Sequence, residues 1–133
     1  MANPNLQQSN SIFGNTAYIA PSTTSLDVAW THNGSTALTG LTPAVNSVNK
    51  INSMLVSNVS GAAATVTIGI SNNPTYASGT PYYVAFGIAV PVGATLIVFD
   101  KTTPLYITEN QSVGVLVGTA SALSIVASFE VIT

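Results

Sequence analysis

Large and small apolar side chains alternate most regularly in the second half of the chain. Residues 82–107 read YYVAFGIAVPVGATLIVFDKTTPLYI, with no charge before Asp100. Val84, Phe86, Ile88 and Val90 alternate with Ala85, Gly87 and Ala89, a period of two. That period predicts a strand with large residues on one face and small ones on the other. Pro91 lacks an N–H and Gly93 tolerates positive φ, so the chain is expected to turn there. Residues 94–100 are rich in β-branched and aromatic side chains and predict a second strand. A third follows Lys101. The run is long enough for a membrane helix, but Gly87, Pro91 and Gly93 interrupt it and the nearest preceding basic residue is the distant Lys50. Strands are the reading, and no membrane partner is expected.

Elsewhere the same pattern recurs in shorter pieces. Ala64, Val66, Ile68 and Ile70 alternate with Thr65, Thr67, Gly69 and Ser71, which predicts one buried and one wet face. Residues 51–59 carry apolar side chains on both faces, Ile51, Leu55 and Val59 against Met54 and Val56, as a central strand would. Val113, Val115 and Val117 share a face. Leu123, Ile125, Ala127, Phe129 and Val131 alternate with Ser124, Val126, Ser128 and Glu130. Residues 12–20 and 26–30 predict two short strands, with Asn33 and Gly34 marking a turn after the second. Residues 37–49 show little periodicity and read as loop with at most one short strand. Residues 72–81 read as a long loop. No segment holds the 3.6 period of an amphipathic helix. About seven to nine short strands with turn residues between them predict an all-β fold, a single antiparallel β-sandwich, jelly-roll-like. Residues 12–133 form that domain. Residues 1–11 are polar, contain Pro4, and read as an extended N-terminal arm. Phe86, Ile88, Leu96, Val98, Ile125 and Phe129 are expected to share its core.

Composition sharpens the picture. Charged residues make up 5% of the 133, and there is no cysteine and no arginine. The six are Asp27, Lys50, Asp100, Lys101, Glu109 and Glu130. Ser, Thr, Asn and Gly take their place, so the surface is uncharged but rich in hydroxyls and amides. Such a surface resists association poorly and suits a protein covered by neighbours, a homo-oligomer. A net charge of -2 without arginine argues against nucleic-acid binding. The N-terminus has neither a basic region nor an apolar core, so no secretory signal is read there. On that basis the sequons at Asn33, Asn58 and Asn110 are taken as chance.

Chemistry-bearing groups are sparse. The four carboxylates are well separated in sequence. Asp100 and Lys101 fall at a strand end and read as a solvated turn. His32 is the only histidine, has no second His or Cys for a metal, and reads as exposed in its turn. A nucleophilic Ser or Thr would have this one His as its base. No phosphate loop occurs. No catalytic, metal or cofactor-binding residue is therefore expected, and no enzymatic activity. Tyr76, Tyr82 and Tyr83 surround the long loop. They could form a sugar-binding patch for host attachment, or cover a sheet edge or an interface, where Tyr is enriched.

One resemblance adds to this reading. The run IAVPVGATLIVFDKTTPLYITENQSVGV at residues 88–115 joins a strand ending in Val-Pro to an apolar strand ending in Asp-Lys. An aliphatic strand and an acidic turn come next. A second pattern is Lys50, Ile51 and Asn52 followed by Ser57, Asn58, Val59 and Gly61. The opening MANPN, the IFG at residues 12–14 and the closing ALSIVASFEVI belong to the same set. Together these resemble small structural proteins of tailed bacteriophages, and are most similar to virion proteins of T4-like cyanophages. The resemblance covers about two thirds of the chain and is weak over residues 21–47. Gly93, Asn110 and Gln111 depart from it, standing where acidic or small turn residues are usual. It implies a non-enzymatic virion protein made in the host cytoplasm. It further implies capsid decoration or cement as the role, with tail or neck as the alternative. Implied partners are copies of itself and other virion proteins, the major capsid protein among them.

Overall fold

The computed structural model describes residues 3–32, 34 and 36–133. Met1, Ala2, Asn33 and Ser35 lie outside the described residues, and with them the first residues of the arm and half of the Asn33–Gly34 turn signal. Ten strands follow one another among the described residues: β1 (Ile12–Ile19), β2 (Ala29–His32), β3 (Thr36–Thr39), β4 (Val48–Asn58), β5 (Ala64–Ser71), β6 (Pro81–Val90), β7 (Thr95–Phe99), β8 (Leu105–Thr108), β9 (Ser112–Val117) and β10 (Leu123–Ile132). A single 3-10 turn, Tyr76–Ser78, interrupts the loop before β6. All pairings are antiparallel.

The strands form two packed sheets, an all-β sandwich as the patterning predicts. The larger runs β3-β2-β1-β10-β4, and β7 and β8 then follow one another along the far side of β4. The smaller runs β6-β5-β9. β4 is central, as its two apolar faces require. Its faces are nevertheless not a simple alternation. Between Ser128 and Phe129 the register with β10 shifts, because β4 holds one extra residue, Asn52. The bulge turns Ile51, Met54 and Val56 all inward and leaves Leu55 and Val59 outside.

The core lies between the sheets. Ala17, Ile19, Ile51, Met54, Val56, Ile107, Leu123, Ile125, Ala127 and Phe129 of the larger sheet meet Ala64, Val66, Ile68, Val113, Val115 and Val117 of the smaller. Trp30 is fully buried, and its indole N–H donates to the Val113 carbonyl at 3.3 Å. That bond satisfies the one polar atom of the ring where the loop before β2 bridges to β9 through Asp27 and Val115.

The central run departs from its expected facing. Phe86 is 70% exposed and Ile88 41%, so neither belongs to the core. Ile125 and Phe129 do, and Leu96 and Val98 pack against it half-buried. A register shift in the β5–β6 ladder turns Phe86 outward, whereas Ile88, paired with the buried Val66, keeps the inner facing and is uncovered because β6 is the sheet end. Phe86 and Gly87 together oppose Thr67, Gly87 takes φ +60°, and its N–H donates to the Thr67 hydroxyl at 2.9 Å. The buried residues of β6 are consequently Ala85 and Val90, one odd and one even. The turn expected after β6 closes through Ala94 N–H to the Pro91 carbonyl, with Gly93 at φ +71° in the third position, as a type II turn requires.

Residues 3–10 form no strand. A turn closes from the Gln8 N–H to the Asn5 carbonyl, and Asn10 and Ser11 bond to Thr133 at the end of the chain. Pro4 and Leu6 line a shallow hollow with Val48, Tyr106 and Thr108, so the arm sits beside β4 and β8 of its own chain.

Candidate functional site

The residues weighed for chemistry do not converge. Among the described residues no three His, Cys, Asp or Glu lie close enough to hold a metal ion. His32 is the last residue of β2, opposite Ala17 and Thr36, and is half-buried instead of exposed. Its Nδ1 is enclosed and has no partner among the described residues. Glu109 is buried in the turn after β8, where its Oε2 accepts from the Asn46 N–H at 2.8 Å. That bond holds Asn46 at φ +60° and fixes the loop leading into β4. Glu109 therefore has a structural task. Asp100 sits in the exposed turn between β7 and β8. The hydroxyl and N–H of Thr102, then those of Thr103, hold its carboxyl below the usual carboxylate range. This is the solvated turn that the sequence predicts. Asn58 is buried, its amide donating to the carbonyls of Ala62 and Val90, so its sequon is closed to a glycan in the folded chain.

The three loop tyrosines separate. Tyr76 is buried over Gly69 and Gly114, which face each other across the β5–β9 ladder. A Cβ on Gly114 would stand 2.8 Å from the Tyr76 ring, so the missing side chains make the seat. Tyr82 and Tyr83 are exposed, and Tyr83 meets Phe86 edge to face at 4.9 Å. Burial, then the neighbouring Tyr83, push the Tyr76 phenol above its ordinary value of 10.0. A raised folded-state pKa adds stability that is complete below the unfolded value and lost as pH rises above it. Denaturant titrations should thus show stability falling above about pH 10, and Tyr76→Phe should flatten that slope.

What the fold assembles is surface. β6 and β7 are sheet ends along one flank, and β6 pairs on one side only. Tyr82, Val84, Phe86 and Ile88 of β6, with Val92 of the following turn, stay exposed there. No charged residue occurs from Ile51 to Phe99. A second feature crosses the outer face of the larger sheet. Tyr18, Val126, Leu55 and Ile97 are direct cross-strand neighbours on β1, β10, β4 and β7, and all four are exposed. Hydroxyl rows flank this stripe, Thr16, Ser128 and Ser53 on one side and Ser124, Ser57 and Thr95 on the other. At its Tyr18 end two shallow grooves open, of about 580 and 620 Å³, and Tyr18 lines both. Sequence reasoning missed this cluster. Its members come from residues 14–34 and 124–128, and only the strand register makes them neighbours.

Comparison with known protein families, with curated proteins and with solved structures gives no match. Among the described residues no helix is long and apolar enough to cross a membrane.

Proposed function

We propose that the protein is a non-enzymatic structural subunit of a bacteriophage particle, decorating or cementing the capsid among copies of itself and other virion proteins. The observation that carries an assembly role is the β6 flank. It combines an unpaired strand edge, exposed apolar side chains on both faces of that strand and no charge. Free N–H and C=O groups on such an edge accept an added strand, and the apolar side chains add burial. The phage setting comes from the sequence resemblance at residues 50–61 and 88–115. Tail or neck is the alternative location within the same class.

The interface energy in this reading comes from main-chain hydrogen bonds and apolar contact. Charged pairs screen over about 8–10 Å at ordinary ionic strength, and the flank has none to screen. Sedimentation of the purified protein should show an oligomer of the same size in low and high salt. Phe86→Asp should shift it toward monomer without loss of fold, because the side chain is exposed. Antibody labelling of intact particles should place the protein on the head. A wild-type monomer at about 100 μM, well above the Kd of a stable interface, together with absence from purified particles, would sink the proposal.

A further inference from the structure

We infer that the two grooves flanking Tyr18 form a binding site for a neutral glycan, on the outer face of the larger sheet and away from the β6 flank. This does not rest on the assembly reading. Tyr18 is 39% exposed and stands between the grooves, with Thr31 of β2 opposite it on one side and Val126 of β10 on the other. One groove offers the hydroxyls of Thr16 and Ser128. The other offers the Asp27 carboxylate and the hydroxyls of Thr31 and Ser124. The one hydrogen bond described for these five side chains is Asp27 Oδ1 accepting from the Ala29 N–H at 2.9 Å. An aromatic ring flanked by donors and acceptors matches the two surfaces of a pyranose. Its apolar C–H face stacks on the ring, and its hydroxyls exchange water for protein hydrogen bonds at the edges.

Charge selects within that class. Both cations of the chain, Lys50 and Lys101, lie outside the grooves, and Asp27 is the one charge within them. A carboxylated or sulfated sugar would bring a second anion with no cation lining the grooves to pair it, and Lys50, on the same face, already stands opposite Glu130, so a neutral sugar is favoured. Two grooves meeting at one ring suit an oligosaccharide, one residue stacked on Tyr18 and its neighbours to either side. The β6 flank differs, with large exposed apolar side chains along an unpaired strand edge, and suits protein contact.

The test is an array of neutral gluco-, galacto-, manno- and N-acetylhexosamine oligosaccharides beside sulfated and uronic ones. Titration of isotope-labelled protein with the best neutral binder follows. Amide shifts should centre on Thr16, Thr31, Ser124 and Ser128. Tyr18→Ala should weaken binding about tenfold or more, and Tyr18→Phe, which keeps the ring, should change it only a few-fold. Asp27→Asn should admit acidic oligosaccharides that the wild type rejects. Tyr82→Ala should leave affinity unchanged. Absence of shifts at these residues with every neutral glycan at about 10 mM would overturn the inference. So would binding lost in Tyr82→Ala but kept in a folded Tyr18→Ala.

Discussion

Phe129→Ala is expected to destabilise the protein by about 3–5 kcal/mol, whereas Phe86→Ala should cost no more than about 1 kcal/mol. Both residues sit in strands of alternating pattern, and a sequence reading treats them alike. Phe129 is 1% exposed, on the inner face of β10 between β1 and β4, and its removal leaves a cavity that close-packed strands cannot collapse. Phe86 is 70% exposed on an edge strand, and its one described aromatic contact is with Tyr83. Urea titrations with an unchanged slope measure both values. Equal losses would mean that the outer face of β6 is covered within the chain.

Gly40→Ala should cost about 2–5 kcal/mol, from two separate causes. Gly40 takes φ +66°, where a Cβ costs about 1–2 kcal/mol. That Cβ would also stand 2.6 Å from the Ser112 Cβ, which adds about 1–3 kcal/mol of overpacking. The neighbour cannot give way cheaply. Gly40 donates to the Val28 carbonyl at 2.7 Å and accepts from the Val113 N–H at 2.6 Å, which ties the end of β3 to β9. Gly93→Ala is the control. It has a similar φ, +71°, but open space where the Cβ would go, so only the backbone cost of about 1–2 kcal/mol should appear. A thermal or urea midpoint equally shifted by both would remove the packing cause.

The sequence by itself determined the class of fold and most of the strands. Period-two alternation at Ala64–Ser71 and at residues 123–131, and turn chemistry at Pro91 and Gly93, are local properties, and the structure places strands and a turn there. The strand at Thr36–Thr39 was hard to read because it is short and largely exposed, so it carries little alternation. Facing was the larger loss. Bulges at Asn52 in β4 and at Phe86 and Gly87 in β6 each insert a residue, and one extra residue reverses every later side chain. Nothing local marks Asn52, and Gly87 reads equally well as a small residue on an inner face. The candidate surfaces depended on register still more. Tyr18 and Thr31 are far in sequence from Ser124 and Ser128, and the β2-β1-β10 pairing alone sets them side by side. Tyr76 was legible as an aromatic in a loop, but its burial follows from Gly69 and Gly114 meeting across two strands. Local side-chain chemistry chooses strands and turns. Long-range backbone pairing decides which side chains meet solvent, and so where a partner could bind.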